Sequence, residues 1–321
     1  MSKLLIAFLL LSVIACQMQD FYSPQTSKSM LYYAKASYCE ADQIKNWNGQ
    51  ACDFHPSMTD IKVVKNLAHG SQLYLGFDAD ANAIVIAFRG SQNIQNWIDN
   101  LDYKKTEYDF CNDCMVHKGF YKAWQAVSDE VMSTYRSLKS SHSGAKTYVT
   151  GHSLGGAIAT LCALELRQAG FQVDNFYVFG CPRVGNQQFA EYGAQQLPYE
   201  VEVVHYKDPV PHVPLSVQGF VRIPTETYYY SKTDVNAYKW CPSAGGEENS
   251  KCSNKLLLAT NIGDHLNYLG VYTGCTDIQD IQDEIAVLTY DNLPNNGLKR
   301  LARLEQQYLD EQQDQQRVIS E

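Results

Sequence analysis

The stretch VTGHSLGGAIATL, residues 149–161, constrains this chain more than any other. A β-branched run enters a knot of glycines around one serine and leaves into an Ala- and Leu-rich pattern with helical spacing. Gly151-His152-Ser153-Leu154-Gly155 fits G-x-S-x-G, in the strand-then-helix setting that holds such a serine on a sharp turn. A Cβ at 151 or 155 would collide with the adjoining strand and helix, and glycine removes it. The helix starting near Leu154 aims its free N–H groups and positive dipole end at Ser153, which favours a developing oxyanion. A serine that merely caps the helix is the alternative. Small residues at Gly156, Ala157, Ala159 and Thr160 let the helix pack closely on a sheet and favour the nucleophile. A phosphate loop lacks its G-K-[ST] ending here, and the glycines fall at the wrong offsets for a dinucleotide fingerprint.

The surrounding pattern implies an α/β chain. A helical rhythm over residues 26–41 precedes two strands, 71–77 and 83–88, joined as a hairpin across Asp78–Asn82. Phe120, Trp124, Val127, Val131, Tyr135 and Leu138 predict one long amphipathic helix from Lys118 to Lys139. Strand 146–150, helix 154–168, strand 175–180, helix 186–196 and strand 201–206 then alternate, which implies a parallel sheet with helices on both faces. Beyond Asp208 the pattern becomes irregular.

A nucleophilic serine needs a base and an orienting acid, in the order Ser, Asp or Glu, His, at or beyond strand carboxyl ends. Asp208 lies two residues past the strand VEVVHY, in a turn rigidified by Pro209. Asp174 precedes its strand, at the wrong end of the sheet, and Asp234 sits in a loop of unspecified position. Of the eight histidines only His265 lies well downstream of Asp208 in a loop-to-helix context. His212 is too near Asp208 in sequence, and His152 adjoins the serine and should point away from it. His117 and His205 read as locally bonded core residues, and His55, His69 and His142 as loop residues. An oxyanion hole needs a second donor beside the Leu154 N–H, and Ser91, leaving strand 83–88 in Phe88-Arg89-Gly90-Ser91, is placed to supply it. Just beyond, Ile94, Trp97 and Ile98 share one face of an amphipathic turn, for which a plain surface helix is the alternative.

The chain of 321 residues begins with Lys3 and an apolar run from Leu4 to Ala15, too short to span a bilayer. Residues 1–16 read as a secretory signal peptide, with a lipoprotein-type box ending at Cys16 as the rival. Residues 17–295 form the domain, and the Gln- and charge-rich 296–321 an accessory helix or disordered tail. A net charge of −9 argues against nucleic acid as partner. Export permits disulfides among the nine remaining cysteines, and Cys241 with Cys252 is a pairing suggested by proximity in a loop. Cys162 and Cys181 read as small buried hydrophobes. Zinc is the rival for Cys111-Asn-Asp-Cys114, but a second hook and H-E-x-x-H are both missing, so no metal is expected.

Taken together the motifs resemble the class 3, or fungal-type, lipases of the α/β-hydrolase fold. The matches are Phe88-Arg89-Gly90-Ser91, Asn96-Trp97-Ile98-Asp99, His117-Lys118-Gly119-Phe120, Gly151 to Ala157, Phe179-Gly180 with Pro182-Arg183-Val184-Gly185-Asn186, Asp208-Pro209-Val210-Pro211, and Asp264-His265 with Tyr268. The resemblance implies a mostly parallel central sheet flanked by helices, with Ser153, Asp208 and His265 as a triad and Ser91 with Leu154 as the oxyanion hole. It also implies a short helical lid over Gln92–Asp99, in which Trp97 packs near the acyl group and Asp99 helps seat Ser91. By the same analogy Cys39 pairs with Cys275 and Cys111 with Cys114, which leaves Cys52 alone. The implied activity is that of a triacylglycerol lipase acting at a lipid–water interface; the signal peptide separately predicts secretion, and a monomer without cofactor is expected. Phospholipase A1 and feruloyl esterase share these motifs, and a catalytically silent lipid binder is the reading from another class.

Overall fold

The computed structural model describes residues 22–66, 68, 70–198, 200–223, 225–242, 248–255 and 261–276. The expected signal peptide, residues 1–16, and the Gln-rich tail, residues 296–321, lie outside the described residues. The first helix, Pro24–Ala36 (α1), takes its start from Ser23, whose side chain accepts from the Thr26 N–H, and from proline in its first turn. Ala41–Asn46 (α2) follows. Strands Met58–Asn66 (β1), Ser71–Asp78 (β2) and Ala83–Phe88 (β3) are antiparallel neighbours. Then come a short helix, Ile94–Asp99 (α3), and a small hairpin of Lys105–Glu107 (β4) with Met115–His117 (β5).

The single helix expected from Lys118 to Lys139 is two: Lys118–Gln125 (α4) and Ser128–Ser141 (α5). Their apolar faces keep one rhythm across the break, which hid it. Ser128 Oγ donates to the Gln125 carbonyl, and Asp129 and Glu130 occupy the first turn of α5, where carboxylates suit the dipole.

Strand Lys146–His152 (β6), helix Leu154–Gln168 (α6), strand Asn175–Phe179 (β7), helix Gln187–Gln196 (α7) and strand Glu200–His205 (β8) alternate as the pattern implied. Two strands that the irregular region concealed complete the sheet, Glu226–Tyr229 (β9) and Tyr238–Cys241 (β10). The order is β1-β2-β3-β6-β7-β8-β9-β10, parallel from β3 to β9 and antiparallel at both ends. Last come Ile262–His265 (α8) and the hairpin of Asn267–Tyr268 (β11) with Val271–Tyr272 (β12).

Why β3 reads AIVIAF without alternation is now plain. Ile84, Ile86 and Phe88 pack into a core shared with Trp124, Tyr135 and α6, while Val85 and Ala87 face a second core with Met30, Leu31 and Tyr33 of α1. A parallel strand covered on both faces must be apolar throughout. Helix α6 is likewise buried almost all round. Disulfides join Cys39 to Cys275, Cys111 to Cys114 and Cys241 to Cys252, while Cys52, Cys162 and Cys181 are buried thiols. His55 departs from the loop reading: it is buried, stacked on Tyr33 with ring centroids 3.6 Å apart and 3.4 Å from Asp78. Among the described residues no helix is long and apolar enough to cross a membrane.

Candidate active site

Ser153 stands between β6 and α6 with φ 59° and ψ −135°. A side chain in this left-handed region is strained, and such strain concentrates at functional sites. The turn is possible because its flanks lack side chains. A Cβ on Gly151 would lie 2.3 Å from the Gly155 carbonyl oxygen, and one on Gly155 would lie 2.2 Å from the Phe88 carbonyl oxygen. The Ser153 N–H donates to Phe179 and its carbonyl accepts from Gly156, which locks the turn to β7 and to the helix start. Leu154, as the first residue of α6, has an N–H without an acceptor inside the helix.

Asp208, three residues past β8, and His265, the last residue of α8, meet at the same edge of the sheet. His265 Nδ1 donates to Asp208 Oδ2 at 2.8 Å, and both side chains are buried. The proton committed to Nδ1 leaves Nε2 as the lone-pair nitrogen of the neutral ring. Oδ2 also accepts from the Tyr268 hydroxyl, and Oδ1 accepts from the Val210 N–H at 2.8 Å. Burial works to raise the Asp208 pKa, but His265 and these donors prevail and hold it below the ordinary carboxylate range. Ser153 Oγ and His265 Nε2 are both enclosed and neither makes a hydrogen bond within the protein.

Ser91 leaves β3 half-buried. Its neighbour Gly90 touches the turn of Ser153, since a Cβ there would sit 2.8 Å from Ser153 Cβ. The α3 helix lies over the other two loops. Ile94 and Ile98 are buried with Val210, two residues past Asp208, and Ile262, three before His265. Trp97 is half-buried and stacks on Phe120 at 6.1 Å, and Asp99 ends the helix exposed.

Sequence reading gave no role to three neighbours. Gly180 (φ 55°) carries hydrogen where a Cβ would meet Asp208 Oδ2 at 2.7 Å, His265 Nδ1 at 2.8 Å and the Tyr268 hydroxyl at 2.8 Å. Its signal was a glycine closing β7 ahead of Pro182. Tyr268 was marked only by following His265, and Tyr38 had no signal at all. Of the rival residues, Asp174 caps the opposite end by accepting from the Thr147 N–H, and His117 accepts from the N–H groups of Gly119 and Phe120. His205 is buried as expected, but its Nδ1 donates to the Asp264 carbonyl 59 residues away, so its bond ties β8 to α8 and is not local.

Comparison with known proteins identifies the family. A family model described as Lipase (class 3) matches residues 85–218. A lipase of Rhizomucor miehei is 35% identical over 236 residues, 72% of this chain and 64% of that protein. A secreted mono- and diacylglycerol lipase of Fusarium solani is 41% identical over 151 residues, 47% of this chain and 45% of its own length. The chain thus spans less than two thirds of these relatives. Among solved structures, one described as "A serine protease triad forms the catalytic centre of a triacylglycerol lipase" is 32% identical, with a TM-score of 0.71 over 79% of this chain and 98% of that one. The Rhizomucor miehei lipase propeptide complex aligns at 32% identity with a TM-score of 0.72, over 79% of this chain and 84% of that chain. With the mostly parallel sheet, the serine elbow and these likenesses together, the chain belongs to the class 3 lipase family of the α/β-hydrolase fold.

Proposed function

We propose that this chain is an exported serine ester hydrolase that releases fatty acids from triacylglycerols. Ser153 Oγ attacks the ester carbonyl carbon while His265 Nε2 takes its proton. The oxyanion is received by the N–H groups of Leu154 and Ser91, each such donor being worth roughly a hundredfold to a thousandfold in turnover. Collapse expels the glyceride alcohol, which takes the proton back from His265, and leaves an acyl-serine that water hydrolyses by the same route. Asp208 keeps the imidazole in the Nδ1–H tautomer and stabilises the imidazolium.

The observation that carries this reading is the buried 2.8 Å bond from His265 Nδ1 to Asp208 at the edge where Ser153 stands on its strained turn. Lid gating is supported by Ile94 and Ile98, which cover the Asp208 and His265 loops in the enclosed form and would offer an apolar face to lipid once lifted. Export rests on the leader and on relatives named as secreted. Partial acylglycerols are a second substrate class, favoured by the likeness to the Fusarium solani mono- and diacylglycerol lipase. Release of fatty acid from emulsified triolein, diolein and phosphatidylcholine tests the assignment. Wild type should prefer the acylglycerols, and Ser153→Ala should lose activity by as much as about a millionfold while keeping its fold. Near wild-type turnover in that variant, or a preference for phosphatidylcholine, would sink it.

A further inference from the structure

His152, the last residue of β6 and the neighbour of Ser153, is buried and makes two hydrogen bonds that join separate parts of the site. Its Nε2 lies 2.8 Å from the His265 carbonyl oxygen, and its Nδ1 lies 2.7 Å from the Tyr38 hydroxyl. A carbonyl only accepts, so Nε2 carries the proton. In the neutral ring Nδ1 then accepts, and the Tyr38 O–H must donate to it. The Tyr38 oxygen in turn accepts from the Gly90 N–H at 3.1 Å. Three hydrogen bonds of determined direction thus run from the amide of Gly90, next to Ser91, to the backbone of His265. The His152 ring also packs against the His265 ring, with centroids 4.4 Å apart and planes tilted by 32°.

We infer that Tyr38 and His152 are positioning residues for this reaction, a strut that fixes the oxyanion loop and the base-bearing segment relative to each other across Ser153. The inference rests on the triad reading above. Neither side chain reaches the reacting atoms in this account. Their work is to hold the Ser91 N–H and the His265 ring at a set separation, because donors and base act only when aligned to within a fraction of an ångström. Two features suit them to it. Tyr38 adjoins Cys39, whose disulfide to Cys275 anchors the segment from which the phenol projects. Burial, with the neighbouring His265, pushes His152 down to about 3, so the ring stays neutral and the bond directions stay fixed through the working pH range.

Tyr38→Phe keeps the ring and removes both bonds of the hydroxyl. With a soluble short-chain ester it should lower kcat roughly tenfold with KM near wild type, and the melting temperature should fall modestly because the Gly90 N–H and His152 Nδ1 lose their partner. His152→Gln, which can still donate to the His265 carbonyl, should retain more activity than His152→Leu. Wild-type kcat in Tyr38→Phe, or equal losses in the two His152 variants, would overturn the strut. A measurement on the unaltered protein guards against variants that fail to fold. In ¹⁵N-histidine spectra His152 should remain the neutral Nε2–H tautomer from pH 5 to 9, and titration there, or the Nδ1–H tautomer, would overturn the proposal. Ser153→Ala in the same ester assay separates the two readings, since activity in that variant would reject the triad itself, whatever Tyr38→Phe does.

Discussion

At the scale of single residues, the site depends on groups that crowd one carboxylate. Asp208 collects donors from His265, Tyr268 and Val210, and each of them lowers the cost of keeping a buried negative charge beside His265. Tyr268→Phe should therefore leave the fold intact and reduce kcat by several-fold to about tenfold, the range for one charge-assisted bond. Gly180→Ala should do more harm. The added methyl meets Asp208, His265 and Tyr268 at 2.7–2.8 Å, and φ 55° is unfavourable for alanine. Steady-state kinetics on both variants, beside thermal melts, checks the order: a Gly180→Ala enzyme more active than Tyr268→Phe would contradict it.

At the scale of elements, β8 is unusual in burying Glu200 and Glu202 within a parallel strand. Burial pushes the Glu200 carboxyl up to about 8 and raises Glu202 as well. A carboxyl whose folded pKa exceeds its unfolded value contributes stability that is complete below about 4.5 and is lost as pH rises through the folded pKa. Asp78, held at about 2 against its burial by bonds from His55, Tyr33 and the Ala81 amide, acts in the opposite sense and matters only in acid. The melting temperature of the protein should thus fall between pH 5 and 9, and Glu200→Gln should make that fall shallower. An unchanged slope would refute the assignment. These strand carboxylates also explain what sequence reading lost. The stretch from 149 to 161 was legible because its glycines and small residues answer to local sterics. In β9, by contrast, Glu226 is buried against Arg222 at 3.5 Å, so the strand carries no clean apolar rhythm. Edge strand β1 presents Asp60, Lys62 and Lys65, which suit an exposed edge and disguise the strand.

At the scale of the whole molecule, closure brings distant segments to one edge. The bond from Cys39 to Cys275 spans 236 residues and ties the end of α1 to the last described hairpin. Replacing both cysteines by alanine should cost about 2–5 kcal/mol of stability in denaturant titration, as loss of a native disulfide usually does. The convergence of Ser153, Asp208 and His265 on one edge was readable from chain order because the sheet delivers its loops in sequence. Tyr38 was not, because its partners Gly90 and His152 lie 52 and 114 residues away and leave no pattern around it. Ser153, drawn into this convergence, is the proposed nucleophile. A fluorophosphonate probe with peptide mapping tests it most directly. A single covalent adduct should form on Ser153, and far more slowly when His265 is replaced by alanine. An unlabelled protein, or an adduct on any other serine, would contradict it.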